Sequence, residues 1–458
     1  MKSGWSAPNK TSHTMPISAA QFDAVVDALR RVLPCDRPAD TVLSAWFRDQ
    51  RRLGATDRHL VAETVFAVLR RRAFLTALTQ PNPTPKRLAI ASLVKVRGLN
   101  LRELEGILTE AEKKWAGELK GTTPELTLAE RAELPDWVAT QLQDAGLSDD
   151  ELLALGQSMQ NSAPLDLRVN TIKARREDVA VQLARDGIDA QPTPMSPFGL
   201  RIKGKPAVNR HPLFTEGAFE VQDEGSQLLG LLLAPRRGEM VVDFCAGAGG
   251  KTLMLGAMMA SSGRLYAFDV SEKRLANLKP RLARSGLSNV HPQLIQGEND
   301  SKIKRLAGKV DRVLVDAPCS GLGTLRRNPD LKFRQSPESV AQLNVTQASI
   351  LAHAARLLKN GGRLVYATCS ILPSENDAII DAFLAAHPDF VELPANVLLA
   401  EQRVELDTGT RLRLNPRDHG CDGFFAAVLE RRIPKPVYPQ DAELDEPAGN
   451  AAEDSPAE

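Results

Sequence analysis

The chain has no apolar run approaching the length of a membrane span, no apolar signal core behind Met1-Lys2-Ser3-Gly4-Trp5, and no Cys-x-x-C pair. The first two absences disfavour membrane and secreted classes and predict a cytoplasmic protein. The third removes the usual zinc and dithiol redox motifs. The five cysteines, Cys35, Cys245, Cys319, Cys369 and Cys421, are odd in number and scattered, which fits a reducing compartment. The seven histidines show no ligand spacing, so no catalytic metal is expected. Charge of one sign is also scarce, with a formal net of +1. That balance hides an asymmetry: from Pro434 onward seven acids stand against Lys435 alone, leaving residues 1–433 at about +7. An excess of this size suits a polyanion such as RNA and a solvated surface equally well.

The 458 residues suffice for two or three domains. From Gln21 to Leu33 the apolar residues recur at three- and four-residue intervals, and similar patterns over Thr41–Arg51, Asp57–Arg71, Lys86–Val96 and Leu101–Trp115 predict an all-α domain over residues 15–116. Its arginines Arg48, Arg51, Arg52, Arg58, Arg70, Arg71 and Arg72 form either a solvated face or an RNA-contacting one. A polar linker follows over Gly117–Thr127, and residues 128–215 read as helices and then a small α/β module with a strand at Leu165–Asn170. From Gly217 strands and helices alternate, the pattern of a doubly wound parallel sheet. Strands are expected at Met240–Phe244, Arg264–Asp269, Gln293–Gln296, Arg312–Asp316, Gly362–Ala367 and Phe424–Leu429, giving a third domain over 216–433. The tail 434–458 is too rich in Pro, Ala and acid to pack and is expected to be disordered.

The first of these strands runs straight into Cys245, Ala246, Gly247, Ala248, Gly249, Gly250 and Lys251. Glycines between a strand and a helix let the backbone turn tightly and a ligand approach it closely. The loop is not a P-loop, because position 245 holds cysteine where that motif needs glycine, and Thr252 denies it the full dinucleotide fingerprint. The next strand ends on Asp269, an acid placed to accept hydrogen bonds from ribose hydroxyls, so a nucleoside ligand is expected. S-adenosylmethionine and a nicotinamide cofactor both qualify on these grounds.

Two further strands end in cysteine-bearing strings, Asp316-Ala317-Pro318-Cys319-Ser320-Gly321 and Ala367-Thr368-Cys369-Ser370. Side chains at the carboxyl ends of strands in an open α/β sheet face one crevice, so the two thiols can converge on one substrate. A thiolate that adds to carbon 6 of a cytosine turns carbon 5 into an enamine carbon able to accept a methyl group, and a second basic group can then remove the carbon-5 proton. A carboxylate at Asp316 suits the base's ring nitrogen and exocyclic amine. Paired thiols beside a nucleoside site therefore favour methyl transfer over hydride transfer.

In these strings the chain resembles the Sun/RsmB-type RNA cytosine-5 methyltransferases. Residues 245–251 are similar to the family's cofactor loop, usually Cys-Ala-Ala-Pro-Gly-Gly-Lys, with Gly247-Ala248 in place of Ala-Pro. The two cysteine strings resemble its Pro-Cys and Thr-Cys motifs, the latter followed by Leu372-Pro373-Ser374-Glu375-Asn376. Val221 to Gln227 and Leu167 to Thr171 resemble family segments ahead of the core, and Leu53 to Arg58 a NusB-like RNA-binding extension. The resemblance implies a Rossmann-like class I methyltransferase domain behind a NusB-like all-α domain and a small α/β RNA-binding module. It implies S-adenosylmethionine as cofactor, held by residues 245–251, Asp269, Asp316 and an acid after the third strand. Glu298 is taken as that acid over Asp300 because it aligns without a gap. Lys251 is expected either on the cofactor carboxylate or as a helix cap, and Cys245 as a packed or backbone contact. The resemblance further implies that Cys369 is the nucleophile, that Cys319 assists product release, and that Arg327 to Phe333 border the substrate pocket. Small-subunit ribosomal RNA is the implied substrate, with transfer RNA and a non-catalytic ribosome-assembly role as alternatives, and a monomer is compatible with the sequence.

Overall fold

Ser18 and Gln21 cap each other's backbone N–H groups, Gln21 N donating to Ser18 Oγ at 3.2 Å and Ser18 N to Gln21 Oε1 at 3.0 Å. This capping box starts a helix at Ala19–Val32 that buries Phe22, Val25, Val26, Leu29 and Val32, the periodic face expected from sequence. In the computed structural model, which describes residues 17–432, helices Ala39–Asp49, Ala55–Arg70, Arg72–Leu78 and Pro85–Ala91 pack round the same core. The helix expected over Leu101–Trp115 forms only from Glu110. Thr109 caps it with Glu112, and Gly106 at φ +89° holds the preceding segment in turns. The expected disordered tail, 434–458, lies outside the described residues.

The small module is a four-stranded antiparallel sheet of β1 (Leu165–Val169), β2 (Ala190–Pro192), β3 (Gly199–Ile202) and β4 (Phe219–Val221), in the order β2-β3-β1-β4. β4 lies beyond residue 215, so the module's sheet reaches past the boundary expected from sequence; a three-residue strand carries too little alternation to be read. The helices at Leu128–Ala132, Asp136–Asp144 and Asp149–Ser158 do not share this module's core. They pack instead on Leu322, Leu325, Val340 and Leu372, just beyond the two cysteine strings.

Val313-Leu314-Val315 and Leu364-Val365-Tyr366-Ala367 are apolar without alternation, which suits strands covered on both faces. They lie in β8 (Val310–Asp316) and β9 (Leu358–Thr368) of an eight-stranded sheet whose other members are β5 (Met240–Asp243), β6 (Arg264–Asp269), β7 (Val290–Leu294), β10 (Phe390–Leu393), β11 (Leu412–Leu414) and β12 (Phe424–Arg431). The order is β10-β12-β9-β8-β5-β6-β7, with β5 to β9 parallel, β12 antiparallel to β9, and β10 and β11 sharing the far edge of β12. Two buried clusters cover its faces. This is the Rossmann-like architecture expected from sequence. The third strand begins at Val290, earlier than expected, because Pro292 interrupts its pattern. Strand order reverses between β5 and β8, so their carboxyl ends open on one crevice. No helix among the described residues is long and apolar enough to cross a membrane.

The helical domain is tied to the sheet domain by the segment just after the Pro-Cys string. Lys332, buried, donates to Arg70 O at 3.1 Å, Glu133 O at 2.9 Å and Glu133 Oε2 at 3.1 Å, while Glu133 caps Ala73 N and Phe74 N. Arg70 Nε donates to Arg326 O at 3.1 Å, and Ala39 N to Asp330 Oδ2 at 3.2 Å. Arg70 is therefore buried in a joint and does not belong to an RNA-contacting face; Arg71 and Arg72 are half-buried beside it, and Arg48, Arg51 and Arg52 are the exposed members of that cluster. Lys332→Met takes from buried Glu133 the cation it hydrogen-bonds, leaving only Arg71 Nε at 3.9 Å, and is expected to lower stability by about 3 kcal/mol in denaturant unfolding. Adding Glu133→Gln to that variant should restore part of the loss.

Candidate active site

Three acids end neighbouring strands: Asp243 on β5, Asp269 on β6 and Asp316 on β8. Between the first two, the glycine loop turns into helix Gly250–Met258. Gly249 holds φ +82°, and a Cβ there would stand 2.1 Å from Leu278 Cδ1, so only glycine fits. Asp269 fixes the loop and the next helix at once, accepting from Gly247 N at 2.8 Å and Ser271 N at 2.7 Å. Arg168 of β1 reaches across to Gly250 O at 2.5 Å and to Gln222, so the small module braces the same loop.

The loop, the acids and both sulfurs line one cavity of about 590 Å³. Of the residues expected at a cofactor, Cys245, Ala246, Gly247, Ala248, Gly250, Lys251, Asp269, Glu298 and Asp316 line it. Gly249 does not: it shapes the turn and its α-carbon faces Leu278. Glu298 is on the wall, held by Ser349 Oγ at 2.6 Å, an interaction that keeps its carboxyl below the usual range. Asp300 is turned away, accepting from Gln296 N and Lys302 N.

Lys251 Nζ meets Asp316 Oδ2 at 2.6 Å. Burial works against the ammonium, but attraction to Asp316, and more weakly to Cys369, outweighs it and raises its pKa. Cys319 Sγ and Cys369 Sγ lie 3.3 Å apart, and both residues are half-buried. The hydrogen bond with Cys369, followed by burial, pushes the Cys319 thiol well above the ordinary range. Burial does the same to Cys245, which also lines the cavity.

None of Arg327 to Phe333, the segment expected to border a substrate pocket, lines this cavity. Arg327 pairs with Asp223 Oδ2 at 2.8 Å and with Asp422, and the residues after it form the interdomain joint. A charged surface motif and a buried ionic joint have the same composition, so the sequence could not tell them apart. Sequence reasoning missed Gln222, Arg281 and Asp243 on the cavity wall. Only Asp243 carried a signal, being a strand-end acid directly ahead of the glycine loop. It accepts from Thr252 Oγ1 at 2.6 Å, while its Oδ1 is buried without a partner.

The family model for the 16S rRNA methyltransferases RsmB/F matches residues 230–430, and that for the ferredoxin-like domain of RsmF/B-like methyltransferases matches residues 134–209. The chain is 32% identical over 415 residues to a probable ribosomal RNA small subunit methyltransferase B of Synechocystis, covering 83% of this chain and 92% of that one. A Bacillus subtilis protein of the same description is also 32% identical, over 68% of this chain and 69% of its own length. Among solved structures, that of PH0851 superposes with a TM-score of 0.72 at 26% identity, covering 92% of this chain and all of that one.

Burial raises the Asp243 carboxyl to about 7, far above its value in an unfolded chain. The folded state therefore holds a proton that the unfolded state releases, and stability falls as pH rises from about 4 to about 7, then levels off. In Asp243→Asn that slope should be absent. Denaturant midpoints of the two ligand-free proteins across this range check it.

Proposed function

The chain belongs to the RsmB/F family of 16S rRNA methyltransferases, and on that premise we propose that it methylates carbon 5 of a cytosine in small-subunit ribosomal RNA, with Cys369 as nucleophile and Cys319 assisting release. The observation that carries this reading is the 3.3 Å approach of the two sulfurs at the wall of the cavity that holds the glycine loop. The enzyme uses S-adenosylmethionine, and the cavity suits it: open backbone at Gly247, and Asp243, Asp269 and Glu298 among its lining residues. When bound, that cofactor supplies an electrophilic methyl group.

The chain's own groups divide the remaining work. The Cys369 thiolate forms a bond to carbon 6, assisted by the nearby Lys251 cation. Asp316, one oxygen held by Lys251, accepts with the other from the exocyclic amine and favours protonation of the ring nitrogen during attack. Cys319 keeps its proton at this stage because it donates to Cys369. Once the Cys369 sulfur is bonded to carbon, the hydrogen bond that most raises the Cys319 pKa loses its charged acceptor, and Cys319 can give its proton to solvent. As a thiolate it takes the carbon-5 proton, and Cys369 leaves as a thiolate. Neither sulfur needs an additional basic side chain.

Cys319→Ala is expected to form the carbon-6 adduct and release it poorly, so a covalent protein–RNA species accumulates on a denaturing gel. Cys369→Ala should form none, and both should turn over at least ~1,000-fold more slowly. The reverse pattern of adducts would exchange the two roles. Nucleoside mass spectrometry on cells with and without the protein tests the substrate: loss of 5-methylcytosine from ribosomal RNA is expected, and loss from transfer RNA instead would overturn the ribosomal assignment.

A further inference from the structure

Each reactive cysteine is followed by a serine, Cys319-Ser320 and Cys369-Ser370, and both serines reach the same buried carboxylate. Glu375 is 0% exposed. Its Oε1 accepts from Ser320 N at 2.8 Å and Gln347 Nε2 at 3.0 Å, and its Oε2 from Ser320 Oγ at 2.5 Å and from Ser370 Oγ. Gln347 Nε2 also donates to Pro318 O at 2.9 Å, so the residue ahead of Cys319 is tied to the same centre. From the other side, Tyr366 OH of β9 donates to Glu375 O at 2.8 Å. All four donors to the carboxylate, three from side chains and one from the Ser320 backbone, are neutral. Burying a charge with no cation among its hydrogen-bond partners is costly, and four converging donors demand an acceptor-only group at that point.

We infer that Glu375 is a positioning residue that clamps the Pro-Cys and Thr-Cys loops together and thereby sets the separation of the two sulfurs. It does not line the cavity, so it acts through Ser320 and Ser370 and not on the substrate. The inference rests on the two-cysteine chemistry proposed above for its catalytic consequence, while the geometric part stands on the hydrogen bonds alone. Without the clamp the loops keep their attachment to β8 and β9, the Gly323 N–Cys369 O and Cys369 N–Cys319 Sγ bonds at 2.9 and 3.3 Å, and the Ser320–Ser370 hydroxyl contact at 3.1 Å, but lose the one charged centre that gathers both serines.

The test uses the full chain and dibromobimane, which fluoresces when it bridges two neighbouring thiols. Cys319→Ala supplies the background from the other cysteines. In Glu375→Gln the amide nitrogen faces donors, so bridging should slow about tenfold and kcat should fall about 100-fold, with the RNA KM and cofactor affinity within about twofold of wild type. Glu375→Asp keeps the acceptor and should recover part of both. The double variant Ser320→Ala/Ser370→Ala removes only the hydroxyl arms and guards against a Gln variant that fails to fold; it should show the same pattern more weakly. Wild-type bridging in both Glu375→Gln and the serine variant overturns the clamp, as does loss of cofactor affinity in step with activity in both. The chemistry is decided separately: an active Cys369→Ala would sink the cysteine mechanism while leaving the bridging result intact.

Discussion

Parallel pairing of β8 with β9 places Asp316 opposite Ala367, so the two chains leave the sheet side by side with Cys319 three residues beyond one and Cys369 two residues beyond the other. Sulfurs 3.3 Å apart follow only if both loops then turn the same way, and the surroundings enforce that turn. Gly323 N donates to Cys369 O at 2.9 Å, and Gly423 N to Gly323 O at 2.8 Å. A Cβ on Gly323 would stand 2.3 Å from Gly423 O, so the backbones meet where no side chain fits. The rest of the site depends on this meeting, because the hydrogen bond with Cys369 is the largest influence on the Cys319 thiol.

Charge is distributed over the cavity in a consistent way. Lys251 is anchored on Asp316 with its cation close enough to Cys369 to be attracted by it, and the hydrogen bond between the two sulfurs raises the Cys319 thiol. Asp243 is buried with one oxygen unpartnered, and Asp269 spends one oxygen on the glycine loop and the other on the start of the next helix. The cavity is thus lined by carboxylates around the glycine loop and carries a cation near Cys369.

The appended domains are joined to this centre at defined points. The segment after the Pro-Cys string holds Arg70 and Glu133 through Lys332 and Ala39 through Asp330, and the helices of 128–159 pack on Leu322 and Leu372 directly behind the two cysteine strings. The small module meets the other side, where Arg168 reaches Gly250 and Asn170 Nδ2 donates to Gly217 O and Ser285 O, each at 2.9 Å. The appended parts are thus fastened beside the cysteine strings on one side and to the glycine loop on the other.

What could be read from the chain alone was whatever depends on local chemistry. The 3.6-residue period marked the amino-terminal helices, unbroken apolar runs marked the central strands, and strand order was enough to place Cys319, Cys369, Asp269 and residues 245–251 at strand ends. Short elements without a period, such as β4 and β10, escaped it. So did the meaning of Arg70, Arg327 and Lys332, since a guanidinium or ammonium has the same sequence signature in water and in a buried joint. Glu375 sat in a visible motif, yet its partners Ser320 and Gln347 come from distant parts of the chain. The sequence by itself determined which groups could react and at which strand ends they stand, because side-chain chemistry and strand patterning are local. Tertiary structure alone decided that the sulfurs touch, which carboxylates face the cavity and which cations are buried, because each of these depends on distances between residues far apart in the chain.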